Sequence, residues 1–238
     1  MKILAVECAD KAASCAIAED GKIICESFIS AGLTHSRTLM PMIDSMLKNS
    51  ETDLSEIDRF AVTVGPGSFT GLRIGIAAIK GMAFGLEKEC CGISTLYAAA
   101  LSLKGRRGII CAVLDARCHQ VYNALFLSDG EKYTRLCDDR ALMCDKLASE
   151  LEQLKKKYPD EPIILVGGGA KLCYNEFGQK LGAMTAPEHI SVQRAGEVAL
   201  AAFDCATIPA QQLLPSYLRL PQAERELKEK RAAEHAKP

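Results

Sequence analysis

The sequence predicts an α/β protein built from two similar halves. The first reason is a repeated order of landmarks: an apolar strand, an acid, a second strand, an Asp-Gly turn and a third strand occur at residues 3–28 and again at 109–137. The second reason is that an amphipathic helix follows each meander, and then a strand that runs into glycines. Asp-Gly between β-rich runs is a strong hairpin signal. The predicted element order is therefore βββαβα, twice.

The elements of the first half follow from their hydrophobic pattern. The apolar run 3–6 precedes Glu7, and the other two strands of the meander come after it. A helix is expected at 36–48, because apolar residues recur there at helical spacing: Leu39, Ile43, Met46 and Leu47. A strand at 60–64 then leads through a Gly-Pro-Gly turn into a helix at 69–86.

The second half repeats this order. Asp115 follows the apolar strand 109–114, so it takes the place that Glu7 has in the first half. The remaining elements are expected to be two strands, a helix, a strand and a final helix: 119–127, 131–137, 144–157, 163–166 and 194–205. The last of these strands runs into three consecutive glycines: Gly167, Gly168 and Gly169.

A duplicated βββαβα unit with an acid after its first strand resembles the actin-like ATPase (ASKHA, ribonuclease H-like) folds. In those folds two lobes face each other across a nucleotide cleft. We therefore predict one lobe at residues 1–105, a second at 106–195 and a helical segment with a charged tail at 196–238. The alternative is two unrelated α/β stretches that both use an Asp-Gly hairpin.

The glycine-rich segment 64–75 lies between a strand and a helix N-terminus, a position that suits an anion. It lacks the Lys-Ser/Thr pair of a phosphate-binding loop and the spacing of a dinucleotide fingerprint. One face of the following helix is made of small residues and one methionine: Gly71, Gly75, Ala78, Met82 and Gly85. Glycine inside a helix costs about 0.5–1 kcal/mol relative to alanine, so a close neighbour is expected to offset it. That neighbour is either another element of the same fold or a helix of a second protein.

Composition and charge exclude several classes. The chain is 48% hydrophobic with a net charge of −1, which excludes intrinsic disorder. Its 29 basic and 30 acidic residues lack the basic excess of a free-standing nucleic-acid binder, so no DNA is expected and tRNA only through a partner. The 11 cysteines include no Cys-x-x-Cys and are predicted to fill the core of a cytoplasmic protein. No segment has the pattern of a secretion signal or a membrane span.

Catalytic machinery is not predicted. The four histidines are far apart in the sequence, so no metal site is expected: His35, His119, His189 and His235. Ser68 does not satisfy Gly-x-Ser-x-Gly and is predicted to cap the helix at 69. Glu7-Cys8-Ala9 and Asp115-Ala116-Arg117 both lack the glycine of the Asp-x-Gly phosphate hairpin. The following residues are therefore predicted to form a vestigial nucleotide cleft, with weak or shared ATP or ADP contact left open: Glu7, Asp115, Gly167, Gly168 and Gly169.

The segment Gly65-Pro-Gly-Ser-Phe-Thr-Gly-Leu-Arg-Ile-Gly75 resembles the TsaB (YeaZ-type) family. That family consists of relatives of TsaD and belongs with the glycoprotease (M22-like) proteins. Individually weaker landmarks agree in order: Thr34-His35-Ser36, Ser94-Thr95-Leu96, Asp115-Ala116-Arg117 and Pro215-Ser-Tyr217-Leu-Arg219. The resemblance extends over residues 1–224.

The resemblance implies a non-catalytic subunit of the complex that makes N6-threonylcarbamoyladenosine (t6A) at position 37 of tRNA. Its implied partners are a TsaD-like catalytic subunit, a TsaE-like ATPase and, when the chain is alone, a second copy. The first two helices are the implied pairing surface, and the residues expected there are Leu39, Ile43, Gly71, Arg73, Ile74, Gly75, Ala78 and Met82. The segment from 196 is expected to pack back on the first lobe, as in relatives. The alternatives are an active actin-like ATPase or sugar kinase, and an M22-type metallopeptidase.

Overall fold

Two β-sheets form the framework of the protein in the computed structural model, which describes residues 1–219. The first half contains five strands and three helices: β1 Lys2–Glu7, β2 Ala13–Glu19, β3 Lys22–Ile29, α1 His35–Asn49, β4 Arg59–Gly65, α2 Phe69–Gly85, β5 Glu89–Ser94 and α3 Thr95–Leu101. The rest of the described chain contains β6 Arg107–Arg117, β7 Gln120–Asp129, β8 Tyr133–Arg135, β9 Arg140–Met143, α4 Cys144–Lys157, β10 Ile163–Val166, α5 Ala170–Cys173, β11 Met184–Thr185, α6 Glu188–Ser191, α7 Ala195–Ala201 and β12 Ile208–Pro209.

The strand order confirms the predicted duplication. The first sheet runs β12-β5-β4-β1-β2-β3, and the second runs β11-β10-β6-β7-β8, with β9 also paired to β7. In the first sheet β1 is antiparallel to β2 and parallel to β4. In the second sheet β6 is antiparallel to β7 and parallel to β10. Each half therefore places its first strand between its second strand and the strand that follows its helix.

Both faces of the first sheet are covered. Leu4 and Val6 of β1 pack in the cluster that contains α1 and α2, whereas Ile3 and Ala5 pack against α7. This alternation follows from the two-residue period of a strand. The helix α3 lies between the two sheets, because its residues pack against β6 and β7 as well as against β4 and β5.

The elements from α7 onwards join the first sheet. The helix α7 packs on β1, β2 and β3, and β12 pairs with β5. The helix predicted at 194–205 is shorter than expected, because α7 extends only over Ala195–Ala201. The predicted charged tail at 220–238 lies outside the described residues.

The sequence prediction missed seven elements, four of which are very short (α5, β11, α6 and β12), and it misjudged one strand. It missed β5, in which two adjacent cysteines precede Gly92 and no clear alternation of apolar and polar residues is visible. It also missed α3 and β9, which have seven and four residues. The third strand of the second meander is only Tyr133–Arg135, instead of the predicted 131–137. The predicted helices at 36–48, 69–86 and 144–157 are confirmed as α1, α2 and α4.

Candidate functional site

The loop after β1 is held against the start of α2. The Ala9 amide donates a 2.6 Å hydrogen bond to Glu7 Oε1, and the Ala9 carbonyl accepts one of 2.6 Å from the Ser68 amide. A side chain at Gly67 or Gly71 would collide with the carbonyl oxygens of this loop. The glycine-rich segment therefore receives the protein's own backbone at a position that would suit an anion.

Ser68 has the role predicted for it. Its Oγ accepts a 3.2 Å hydrogen bond from the Gly71 amide and caps the N-terminus of α2. Ser68 is exposed, and its hydroxyl satisfies an amide that the helix itself leaves unpaired.

The close neighbour of the small-residue face of α2 is internal. A Cβ on Gly75 would lie 3.3 Å from Val62 Cγ2 and 3.5 Å from both Cys8 Cβ and Val6 Cγ1. Gly85, by contrast, faces open space. Gly75 is therefore explained by packing on β1 and β4, and Gly71 by the close approach of the loop after β1.

The residues predicted for partner binding divide into two groups. Leu39 and Ile43 are only 1% and 2% exposed, and Gly71 and Gly75 are buried. For these four residues the structure corrects the prediction, because they pack on the protein's own sheet and support the surface from beneath. Arg73 is exposed, whereas three others are half-buried: Ile74, Ala78 and Met82.

A different set of residues forms the outer surface of α1 and α2. Arg73, Ala77, Gly81 and Phe84 are exposed along α2 at intervals of four, four and three residues. On α1 the exposed residues include Arg37, Met40, Pro41, Asp44 and Lys48. Together these nine residues make up what we call the α1–α2 face. Phe84 is 64% exposed and Met40 is 48% exposed, so this face presents large apolar side chains to solvent.

Glu7 occupies a buried position at the end of β1. It is 1% exposed, and its Oε2 has no hydrogen-bond partner among the described residues. Burial raises its pKa to about 7, and the negative charge of Asp10 acts in the same direction, whereas Thr63 and the Ala9 amide partly oppose the shift. Glu7 is therefore ready to hold a proton near neutral pH.

Most of the other residues predicted for the cleft lie at the end of β6 in the second sheet. Asp115 is exposed, and its Oδ1 accepts a 2.7 Å hydrogen bond from the Arg117 amide. Gly167 and Gly169 lie against the backbone of β6, where a side chain would collide. Of the three glycines, only Gly168 lies close to a residue of the first half, because a Cβ added there would be 2.5 Å from Asp10 Oδ2. Sequence reasoning missed Asp10, since a contact between residues so far apart leaves no local signal.

Residues 213–219 cross from one half of the molecule to the other, and we call them the C-terminal strap. The Ser216 amide donates a 2.7 Å hydrogen bond to the Val64 carbonyl of β4. Arg219 Nη1 donates one of 2.7 Å to the Ala116 carbonyl of β6. The strap therefore ties the first sheet to the second.

Two of the histidines, His35 and His119, have partners within the protein. His35 Nε2 lies 2.8 Å from the Asp10 carbonyl oxygen, and His119 Nδ1 lies 3.0 Å from Glu176 Oε1. Across residues 1–219, no group of three or more His, Cys, Asp and Glu side chains is placed to hold a metal ion. Within the same residues, no helix is both long and apolar enough to cross a membrane.

Two lobes with the same strand pairing, joined through α3 and the C-terminal strap, define this protein as a member of the actin-like ATPase fold class. A family model described as TsaD, tRNA N6-adenosine threonylcarbamoyltransferase, matches residues 29–225. The chain belongs to this family, and it is similar over nearly its whole length to proteins named TsaB.

The relatives have nearly the same length as this chain. The tRNA threonylcarbamoyladenosine biosynthesis protein TsaB of Bacillus subtilis is 29% identical, and the match covers 94% of this chain and 96% of that protein. TsaB of Escherichia coli K12 is 31% identical, with 90% and 85% covered. The solved structure of YeaZ from Pseudomonas aeruginosa superposes with a TM-score of 0.71 at 24% identity, covering 91% of this chain and 99% of YeaZ. The predicted TsaB-type resemblance and the predicted fold are both confirmed.

Proposed function

We propose that this chain is a non-catalytic partner subunit in the synthesis of t6A on tRNA, acting in the cytoplasm. It binds a TsaD-like catalytic subunit, and it meets a TsaE-like ATPase and tRNA through the complex. The full-length similarity to TsaB proteins supports the pathway. The balanced charge of 29 basic and 30 acidic residues supports indirect contact with tRNA.

The packing of the loop after β1 is the observation that supports the non-catalytic role. In an active actin-like ATPase this turn offers amide groups to nucleotide phosphates. Here the Ala9 amide is bonded to Glu7, and the Ser68 amide at the start of α2 is bonded to the Ala9 carbonyl. Two groups that would donate to a phosphate are thus already satisfied.

The α1–α2 face is the surface we assign to the catalytic subunit. Small residues at 77 and 81 allow a helix of the partner to approach α2 closely, and Phe84 and Met40 supply apolar area. The buried residues Leu39, Ile43, Gly71 and Gly75 hold the two helices in place beneath this surface. A second copy of the chain is the alternative occupant when the catalytic subunit is absent.

The test combines binding with product formation. Purified chain is mixed with the TsaD-like subunit of the same organism, and complex formation is followed by gel filtration. Formation of t6A is measured by mass spectrometry of tRNA nucleosides in the reconstituted reaction. Ala77→Glu places a charge in the middle of the face and is expected to abolish both signals, whereas Ala141→Glu, at an exposed position on β9, is expected to leave them unchanged.

Two outcomes would overturn the proposal. One is calorimetric binding of ATP by the isolated chain at unit stoichiometry together with turnover, which would assign the chain to the active ATPases. The other is normal t6A formation by the TsaD-like and TsaE-like proteins when this chain is left out.

A further inference from the structure

We propose that the partner places an acidic, apolar segment in a groove between α2 and the C-terminal strap, with Arg73 as the anchor that binds its carboxylate. This inference rests on the proposed function and deepens it, because it states the chemistry of the partner surface. It also extends the contact beyond the two helices to a segment more than 120 residues away in the sequence.

The groove is an extension of the α1–α2 face. It has a volume of about 460 Å³, and its lining includes Arg73, Ala77, Lys80, Leu213, Leu214 and Tyr217. Arg73 and Ala77 belong to both surfaces, so a helix that packs along α2 reaches the groove without a break. Leu214 is 67% exposed, which leaves apolar area there for the partner to cover.

Arg73 is held in place by two aromatic rings. Its Cζ lies 3.8 Å from the centroid of the Phe69 ring, and the Tyr217 ring stacks on Phe69 with centroids 5.0 Å apart. Arg73 Nε donates a 2.9 Å hydrogen bond to the Tyr217 hydroxyl. Within residues 1–219 its two Nη groups make no hydrogen bond, and we assign both to the carboxylate of the partner. An arginine fixed in this way loses little side-chain entropy when it binds.

The charges around the groove favour an anionic occupant. The helices α1 and α2 carry four basic residues and one acid, in a chain whose overall charge is nearly balanced. Lys48 pairs with the one acid, Asp44. Lys80 donates to the carbonyls of Gln211 and Leu213, which fixes a second positive charge beside Arg73. Within residues 1–219, the lining of the groove contains no carboxylate.

The same charges argue against a second copy as the main occupant. A two-fold interface brings the same patch of each subunit together. A patch with four basic residues and one acid would then face a patch of the same net charge, and like charges across an interface cost binding energy. A different protein that presents acidic side chains on an apolar helix surface would complement both the positive charge and the apolar area of this patch.

The experiment measures the affinity of the purified TsaD-like subunit for this chain at 50, 150 and 400 mM NaCl. The wild-type affinity is expected to fall as salt rises, because screening weakens charge pairs. Arg73→Gln is expected to bind about tenfold more weakly at 50 mM and to show a flatter salt dependence. Arg106→Gln removes an exposed arginine elsewhere and is expected to behave like wild type. Tyr217→Phe keeps the ring but removes the hydroxyl, and an intermediate loss is expected.

The outcomes separate this inference from the proposed function. Absence of any binding by the wild-type chain overturns both. Wild-type binding that is unchanged in Arg73→Gln overturns the anchor and leaves the proposed function standing. Analytical ultracentrifugation of the chain alone tests whether a second copy occupies the groove. A dimer that becomes tighter at low salt and weaker in Arg73→Gln would show that a second copy supplies the carboxylate. That result would contradict the inference. Circular dichroism of each variant confirms that the fold is retained.

Discussion

At the scale of single residues, Glu7 is the most informative group. It sits where an actin-like ATPase has a charged acid, yet its side chain is sealed from solvent and one oxygen has no partner in residues 1–219. A carboxylate in that position is costly to ionise, so its pKa rises to about 7. The residue keeps the loop after β1 in place by accepting the Ala9 amide.

The raised pKa predicts a pH-dependent stability. In the unfolded chain Glu7 ionises near its ordinary pKa of 4.5, whereas the folded chain keeps the proton up to about pH 7. The stabilisation is therefore complete below pH 4.5 and is lost as pH rises through 7. Glu7→Gln should remove this dependence, so that wild type loses roughly 1–3 kcal/mol relative to the variant between pH 5 and 8. Urea denaturation at both pH values measures the difference, and Asp115→Asn, at an exposed carboxylate, serves as the control.

Replacement of glycine by alanine is expected to have opposite effects on the free energy of unfolding at two positions of α2. Gly71→Ala forces a methyl group into the Cys8 carbonyl, so we expect a loss of about 2 kcal/mol or more in the free energy of unfolding. Gly81→Ala has no neighbour within 4 Å and should stabilise the helix by about 0.5–1 kcal/mol. Thermal or chemical denaturation distinguishes them, and equal effects would contradict the internal packing of Gly71.

At the scale of elements, α2 has two surfaces with different uses. Its inner surface carries buried glycines that let the loop after β1 approach closely. Its outer surface carries Ala77, Gly81 and Phe84, which are exposed, and a Cβ added at Gly81 would meet open space. Internal packing therefore explains Gly71 and Gly75, and the proposed partner contact accounts for Gly81, despite the cost of glycine inside a helix.

The C-terminal strap predicts a change in dynamics when one contact is removed. Arg219→Ala loses the hydrogen bond to the Ala116 carbonyl, the contact that ties the end of the strap to the second sheet. We expect the amides of residues 214 and 216–218 to exchange hydrogen faster, as their local opening becomes easier. Hydrogen-exchange mass spectrometry measures this. Arg106→Ala is the control, and unchanged protection in Arg219→Ala would show that the first-sheet contacts of the strap suffice.

At the scale of the whole molecule, the burial of the cysteine side chains shows how the protein is packed. Seven of the 11 are buried, three are half-buried, and only Cys118 is exposed. The expectation that the cysteines fill the core therefore has one exception. Burial raises the pKa of Cys15 and of Cys91 to about 12, which keeps these thiols protonated and unreactive.

Thiol titration tests this arrangement. In the native protein we expect one cysteine to react rapidly with a thiol reagent, and all 11 to react after denaturation. Cys118→Ser should remove the rapid phase and leave the total at ten. Several fast-reacting thiols in the native wild type would show that the lobes open more readily than the structure indicates.

Much of the architecture is predictable because its signals are local. The Asp-Gly turns, the apolar strands and the three long helices each lie within a few residues, so the amino-acid sequence is enough to indicate the repeat and the fold class. The TsaB-type resemblance likewise rests on one continuous segment, residues 65–75. Short elements such as α3 and β9 escaped prediction because their form depends on pairing with distant strands.

The sequence alone was therefore enough to predict the duplicated lobes and the family. The tertiary structure decided which residues of α2 are inside and which are outside. That helix has only two charged residues in 17, so its hydrophobic pattern does not distinguish its faces. The structure also brought Asp10 to Gly168 and Arg219 to Ala116, contacts across more than 100 residues that only the packing of the two sheets creates.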